Sequence, residues 1–202
     1  MHEPSDAARP LAVARNELIL GGQKSGKSRR AEGLAQSWLA QSGRHHALFI
    51  ATARGDDDEM RARISRHRAD RALRVPALAT LEEPLAIAAA VRQHSRADTL
   101  LVVDCLTLWL SNLVWPGHAA TDAPPGLGDP APQTEALLLA LAGAPGPLVL
   151  VSNEIGLGVI PIGREVRAFC DALGLLNQQV TRACERVTLM VAGLPLALKA
   201  AP

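Results

Sequence analysis

The stretch Gly21-Gly22-Gln23-Lys24-Ser25-Gly26-Lys27-Ser28 fits the phosphate-binding loop pattern G-x-x-x-x-G-K-[ST] at every specified position. It follows the apolar residues 18–20 and precedes a helix-like segment, and this strand–loop–helix context is what such a motif requires. Glycines let backbone N–H groups turn toward phosphate oxygens, and the N-terminus of the helix adds partial positive charge. We expect Lys27 to reach the terminal phosphates and the Ser28 hydroxyl to ligate Mg²⁺. The stretch therefore predicts a P-loop domain that binds a nucleoside triphosphate, and the alternative is a glycine- and serine-rich turn.

Strand-like and helix-like segments alternate along the rest of the chain. Short apolar runs predict buried strands at 17–20, 47–52, 99–104, 148–152 and 187–191, and a further strand at 77–81 is possible. Helix-like patterns cover 28–41, 57–69, 83–94, 107–114, 134–142 and 164–184. This alternation predicts one α/β domain over residues 16–200, in which a mostly parallel sheet carries helices on both faces.

Two segments lack this pattern. Residues 1–15 are predicted to form a loose N-terminal extension. Residues 115–133 contain five prolines and no periodicity, which predicts an exposed, mobile loop. Neither segment suggests a second domain.

The composition argues against several classes of protein. The net charge is +1 and aromatic residues make up 2% of the chain, so neither a basic nucleic-acid surface nor a set of base-stacking side chains is indicated. The three cysteines form no C-x-x-C pair, and their odd number argues against a disulfide framework. No apolar stretch reaches the roughly 18 residues of a membrane span, and the first residues lack the apolar core of a secretory signal. We expect a cytoplasmic protein that binds no nucleic acid.

Polar residues follow four of the predicted strands. Ligands of open α/β sheets bind beyond the carboxyl ends of the strands. Here those ends carry the phosphate loop, Ala51-Thr52-Ala53-Arg54, Asp104 and Asn153-Glu154. Asp104 follows four apolar residues, which is the usual form of the second nucleotide motif, whose carboxylate holds Mg²⁺. An aspartate in this position can also cap a helix. Because the sequence also contains a complete phosphate loop, we favour the metal role for Asp104.

The segment 57–69 predicts a helix with an acidic start and a basic end, a polarity that suits the helix dipole. His67 lies near its end, among Arg63, Arg66, Arg68 and Arg71. A cationic surround favours the neutral, nucleophilic imidazole, and the same arginines could hold phosphate oxygens. From these residues alone, a surface histidine is the better interpretation.

Several motifs occur in the order of one known family. They lie at 21–29, 50–52, 57–68, 80–84, 103–113, 151–158, 177–178 and 192–195. On these residues the chain resembles, over 17–199, the bifunctional adenosylcobinamide kinase/adenosylcobinamide-phosphate guanylyltransferases of cobalamin biosynthesis. The Gln23-Lys24 pair departs from the Ala-Arg that is commoner in the family, although the positive charge is kept.

The resemblance implies a RecA-like P-loop fold and two reactions. ATP or GTP would phosphorylate the aminopropanol hydroxyl of adenosylcobinamide. GTP would then donate GMP to an enzyme histidine, which passes it to the phosphorylated corrinoid. The guanylylated histidine of the family falls on His67, which overturns the surface interpretation, and Lys27 would act with it in catalysis. The resemblance also implies a homotrimer with active sites near subunit boundaries.

Site residues carry over from the family position by position. Those that would bind nucleotide are Gly21, Gly22, Gln23, Lys24, Ser25, Gly26, Lys27, Ser28, Ala51, Thr52, Ala53, Arg68, Ala69, Asp70, Arg71, Glu82 and Asp104. Ser28 and Asp104 would hold Mg²⁺. Without the family, Glu82 could equally belong to the start of the following helix. Two alternatives stay open: a kinase that has lost GMP transfer, and a nucleotide-binding switch or assembly protein without transferase chemistry.

Overall fold

The computed structural model describes residues 10–115 and 129–200. Within them the chain forms seven strands, β1 (Asn16–Gly21), β2 (His46–Ala51), β3 (Leu78–Glu82), β4 (Thr99–Asp104), β5 (Leu148–Val151), β6 (Arg186–Val191) and β7 (Leu194–Lys199). The same residues form six helices, α1 (Lys27–Gln41), α2 (Asp58–Arg74), α3 (Ile87–His94), α4 (Leu106–Val114), α5 (Ala131–Gly143) and α6 (Arg164–Ala183). All six predicted strands are present, including the one that was only possible, β3.

The strands form one sheet in the order β3-β2-β4-β5-β1-β6-β7. Neighbouring strands are parallel except β6 and β7, which form an antiparallel hairpin. This confirms the predicted α/β domain with a mostly parallel sheet. The order matters for the site, because β5 lies between β1 and β4. The carboxyl end of β5 therefore falls between the phosphate loop and Asp104.

The central strands of the sheet are buried on both faces. Along β4, Leu101 and Val103 pack into one core cluster while Leu100 and Val102 pack into the other, as the two-residue period of a strand requires. Helices α3, α4, α5 and α6 close the first cluster, and α1 closes the second. A strand buried on both faces needs a continuous apolar run. The acid Asp104 follows that run directly and is thereby held at the edge of the core.

The sequence pattern does not predict β7. All six of its residues are exposed, so it shows no burial period, and Pro195 interrupts it. Proline is tolerated here because β7 is an edge strand, where a missing N–H costs little. The turn to β7 is Ala192-Gly193, with φ angles of 51° and 84°, as tight hairpin turns require.

Part of the predicted N-terminal extension packs on the domain. Residues 1–9 lie outside the described residues. Leu11 packs against the core beside α1, and its N–H donates to Ser37 Oγ at 3.0 Å. Ala14 is buried. The end of the extension is thus part of the fold.

The predicted loop 115–133 overlaps the start of α5. Residues 116–128 lie outside the described residues, whereas α5 begins at Ala131. Pro132 does not prevent this, because the first turn of a helix leaves its N–H groups without partners. Among the helices described here, none combines the length and apolar character that crossing a membrane demands.

Candidate active site

The phosphate loop joins β1 to α1 at the carboxyl edge of the sheet. Gly21 and Gly26 have φ angles of 149° and 101°, a region that favours glycine. At Gly21 a Cβ atom would stand 2.5 Å from the carbonyl oxygen of Met190, so no side chain fits. The loop backbone is curled as the motif predicts. Its exposed positions are Gly22, Gln23 and Lys24.

Lys27 is buried at the start of α1. Its Nζ donates to the Gly22 carbonyl at 2.7 Å, so the side chain folds back across the phosphate loop. Burial lowers the pKa of Lys27, and the negative charge of Asp104 opposes that shift. A buried cation is costly unless it is paired. Phosphate oxygens would supply further compensating charge at this position.

Asp104 and Ser28, the two predicted metal ligands, are hydrogen-bonded to each other. Burial raises the pKa of Asp104, while the Ser28 hydrogen bond and the charges of Lys27 and Arg71 oppose the rise. Ser25 Oγ is buried in the loop and has no hydrogen-bond partner in the described structure. Carboxylate and hydroxyl oxygens are the hard ligands that Mg²⁺ prefers, together with water and phosphate. The side chains present therefore fit Mg²⁺.

Thr52 is hydrogen-bonded to the backbone of Asp104 and of the residue after it. Its hydroxyl donates to the Cys105 carbonyl and accepts from the Cys105 N–H, both at 2.8 Å. Its own N–H donates to the Asp104 carbonyl at 3.2 Å. Thr52 is fully buried, and these three hydrogen bonds hold the ends of β2 and β4 together. Ala51 and Ala53, on either side of it, are partly exposed and remain the predicted nucleotide contacts of this segment.

The strand register places several predicted residues in one row. Ala51 lies opposite Glu82 on one neighbouring strand and opposite Asp104 on the other. Asp104 lies opposite Val151, which in turn pairs with Ile19 just before the phosphate loop. Adjacent strands are about 4.8 Å apart. Glu82 and Asp104 therefore stand two strands apart along the same edge.

Helix α2 carries His67 and is mostly exposed. Asp57 caps its first turn by accepting the N–H of Met60 at 2.6 Å. Of the 17 residues of α2, Arg71 alone is buried, and Met60 and Ile64 are partly buried. Positions 60, 64, 67 and 71 follow the spacing of one helix face. His67 is exposed, and it lies on the face that α2 turns toward the domain.

Arginines attach the C-terminal half of α2 to the domain. Arg74 forms a two-pronged pair with the buried Glu32 of α1, with Nε–Oε2 and Nη2–Oε1 distances of 2.7 and 3.1 Å. Arg71 donates to Thr80 Oγ1 at 3.2 Å, and its guanidinium carbon lies 3.8 Å from the centre of the Phe49 ring. The sequence gives no signal for the Arg74–Glu32 pair, since 42 residues separate its members.

The remaining predicted contacts near α2 lie at the surface. Arg68 donates to the Glu82 carboxylate at 3.2 Å, and both side chains are more than half exposed. Ala69 and Asp70 are also exposed. Asp70 lies three positions after His67 and close to Arg74, whereas Ala69 lies on the side of α2 opposite His67. The structure thus brings Arg68, Arg71 and Glu82 together, and Ala69 and Asp70 remain predicted nucleotide contacts.

The segment after β5 belongs to this edge, although sequence reasoning gave it no role beyond a polar strand end. The Glu154 N–H donates to the Gly21 carbonyl at 3.1 Å. The Asn153 N–H donates to Thr107 Oγ1 at 2.8 Å, and the Asn177 side chain donates to the Asn153 carbonyl at 3.0 Å. Three hydrogen bonds from three elements therefore fix this segment beside the phosphate loop.

The chain is similar to several known proteins. A family model described as cobinamide kinase / cobinamide phosphate guanyltransferase matches residues 17–198. The chain is 50% identical to the "bifunctional adenosylcobalamin biosynthesis protein CobP" of Pseudomonas aeruginosa, over 92% of this chain and 98% of that relative. It is 32% identical to the corresponding protein CobU of Escherichia coli, over 90% and 98%. The solved structure of flagellar accessory protein FlaH from Methanocaldococcus jannaschii overlaps with a TM-score of 0.48 at 13% identity, covering 93% of this chain and 79% of that one.

Proposed function

Because this chain belongs to the cobinamide kinase / cobinamide phosphate guanyltransferase family, we propose that it performs two reactions of adenosylcobalamin assembly. It phosphorylates adenosylcobinamide with ATP or GTP, and then transfers GMP from GTP to the phosphorylated corrinoid to give adenosylcobinamide-GDP. The observation that carries the proposal is the common edge of the sheet shared by the phosphate loop, Asp104 and the arginine-rich helix of His67. One phosphate site can then serve both reactions.

In the first reaction the phosphate loop holds the triphosphate. Backbone N–H groups of residues 21–28 and the Lys27 ammonium bind the phosphate oxygens and stabilise the charge that develops on them. Bound Mg²⁺ would neutralise part of the phosphate charge, and Ser28 and Asp104 would hold it. The corrinoid hydroxyl oxygen attacks the γ-phosphorus, the bond from that phosphorus to the β-phosphate oxygen breaks, and a nucleoside diphosphate leaves.

In the second reaction His67 is the nucleophile. A neutral imidazole nitrogen attacks the α-phosphorus of GTP, the bond to the pyrophosphate oxygen breaks, and GMP is joined to the histidine. A phosphate oxygen of the corrinoid then attacks the same phosphorus and the phosphorus–nitrogen bond breaks. Two easier transfers replace one difficult transfer, which is the gain of covalent catalysis. Arg68 and Arg71 would hold phosphate oxygens, and Ala51, Ala53 and Glu82 would line the nucleotide cleft.

The labelling of His67 tests this proposal. Incubation with GTP labelled at the α-phosphate should attach label to wild-type protein through an acid-labile, base-stable bond. His67→Ala should take up none. His46→Ala removes another exposed histidine, at the end of β2 that lies away from the active edge, and should label like wild type. Label on His67→Ala equal to that on wild type would contradict the mechanism, and corrinoid phosphorylation without any label would favour the kinase-only alternative.

Subunit assembly is part of the proposal. The resemblance to the family suggests a homotrimer, and the placement of exposed apolar side chains supports self-association. Leu157, Val159, Ile160 and Ile162 are 77–97% exposed on the segment after β5, close to the active edge. Such a patch often marks an interface. Sedimentation equilibrium that gives a monomer at working concentration would contradict this assembly.

A further inference from the structure

Glu154 occupies a central place that the proposed reactions do not yet use. It follows β5, the strand between the phosphate-loop strand β1 and the Asp104 strand β4. Its backbone N–H donates to the carbonyl of Gly21, the first residue of the loop. The preceding residue, Asn153, donates its N–H to Thr107 and accepts from Asn177 at its carbonyl, and both of these side chains are largely buried. The backbone of residues 153 and 154 is therefore fixed by three separate elements of the fold.

The carboxylate of Glu154 remains available for chemistry. One oxygen, Oε1, accepts the Gly156 N–H at 3.0 Å. In residues 10–115 and 129–200, the ion pairs within 4.0 Å do not include Glu154. The side chain is only partly buried, so it is open to solvent and to ligands.

Other carboxylates near this edge are already engaged. Asp104 accepts the Ser28 hydrogen bond. Both oxygens of Glu32 accept from Arg74, and Glu82 accepts from Arg68 at the far side of the sheet. A further acid, Glu83, accepts two backbone N–H groups at the start of α3. Of these acids, Glu154 is the one beside the loop without a cationic partner.

The two reactions differ in their need for a base. The GMP transfer starts from a neutral imidazole and continues with a phosphate oxygen that is already anionic. Neither attacking atom has to lose a proton. The kinase reaction starts from an alcohol, whose proton must leave as the oxygen bonds to phosphorus. A general base within reach of that hydroxyl is therefore needed in one reaction only.

We propose that the Glu154 carboxylate is the general base of the kinase reaction, an assignment that rests on the proposed function. As the hydroxyl oxygen bonds to the γ-phosphorus and the nucleoside diphosphate departs, the hydroxyl proton passes to the Glu154 carboxylate. Solvent then takes that proton, which restores the carboxylate. The Gly156 N–H holds one carboxylate oxygen, and the other oxygen would accept the proton.

Glu154→Gln separates this role from a structural one. Glutamine keeps an oxygen that can accept the Gly156 N–H, but it cannot accept a proton at neutral pH. The matched control is Glu165→Gln, which removes an exposed carboxylate from the first turn of α6. Three quantities are measured for each protein: the rate of adenosylcobinamide phosphorylation, the label taken up from GTP, and the transfer of that label to chemically phosphorylated corrinoid.

The expected result is a fall of about 10²- to 10⁴-fold in phosphorylation by Glu154→Gln, with GMP labelling and GMP transfer within about twofold of wild type. The acid limb of the kinase pH profile should disappear, a change that a structural role would not produce. Glu165→Gln should match wild type in all three measurements.

Three outcomes would overturn the assignment. Undiminished phosphorylation by Glu154→Gln would show that no proton acceptor is needed there. An equal loss of phosphorylation and GMP labelling would show that Glu154 shapes the phosphate loop instead. Wild-type protein that performs neither reaction would overturn the proposed function and this assignment with it, whereas the first two outcomes leave the proposed function intact.

Discussion

The pair between Arg74 and Glu32 connects the helix of the proposed nucleophile to the helix of the phosphate loop. Glu32 is 4% exposed at its side chain and both of its oxygens accept from Arg74, whose side chain is 41% exposed. The hydrogen bond to Glu32 raises the pKa of Arg74. We predict that Arg74→Met destabilises the protein and also misplaces His67.

The size of the effect follows from the burial of the two partners. Removing one member of a fully buried ion pair costs about 3–5 kcal/mol, because the other charge is left uncompensated. Arg74 is partly solvated, and water can reach Glu32 once the arginine is gone, so we expect about 2–3 kcal/mol. For a chain of this size, 1 kcal/mol lowers the melting temperature by about 2–4 °C. Arg74→Met should therefore melt about 4–12 °C below wild type.

Arg74→Met should reduce GMP labelling more than corrinoid phosphorylation. The pair fixes α2, and a displacement of about 1 Å can reduce a rate about 10²-fold. We expect GMP labelling of His67 to fall at least about tenfold, while phosphorylation of the corrinoid stays within about threefold because the phosphate loop and Asp104 are untouched. Thermal unfolding by circular dichroism, α-labelled GTP and a corrinoid kinase assay provide the three measurements, all made well below the melting temperature.

Two further variants make this result interpretable. Arg92→Met removes an exposed arginine from α3 and should change neither stability nor labelling. The double variant Glu32→Met/Arg74→Met replaces the pair by apolar side chains and should recover much of the lost stability, but it should not restore labelling. If Arg74→Met melted at the temperature of wild type and labelled His67 at the same rate, the pair would have neither role.

Two other predictions concern buried titratable groups. Burial raises the pKa of Asp104 in the folded protein. The fold therefore favours the protonated carboxyl, and the stability gained from it is fully present below the unfolded pKa and is lost as the pH rises through the folded pKa. Asp104→Asn should therefore melt above nucleotide-free wild type at pH 7, with the gap closing toward acid pH, and should lose both activities; equal melting temperatures at pH 7 would contradict this. Burial raises the pKa of the Cys105 thiol to about 11 and that of the Cys184 thiol to about 12. Iodoacetamide at pH 8 should then modify only the partly exposed Cys170 in the native protein; label found on Cys105 or Cys184 by mass spectrometry of peptides would contradict this.

Features that depend on neighbours in sequence were predictable. The phosphate loop, the apolar run before Asp104 and the alternation of strands with helices are all local patterns, and the sheet follows from them. Strand β7 was missed because it is exposed on an edge and interrupted by Pro195. The support of Asp104 by Thr52 was missed for another reason. Its hydrogen bonds join residues 53 positions apart, and no periodicity reports such a contact.

Helix α2 shows where local patterns stop being informative. Its polar residues favour a surface histidine at position 67, and only the family comparison pointed elsewhere. In the structure, Arg71 and Arg74 provide the anchor that apolar residues usually provide, and they define the inward face on which His67 lies. Burial of charge, unlike burial of leucine, cannot be read from a hydrophobic pattern, because each arginine needs a partner elsewhere in the chain.

The strand order also suggests how one phosphate site could serve two reactions. Glu154 follows β5, on one side of the Asp104 strand, whereas α2 connects β2 to β3 on the other side. On the proposals made above, the alcohol would approach the γ-phosphorus from the β5 side and His67 would approach the α-phosphorus from the α2 side. The two nucleophiles would then never compete for the same space around Asp104. A substitution on either side should accordingly slow one reaction, and only changes in the phosphate loop or at Asp104 should slow both.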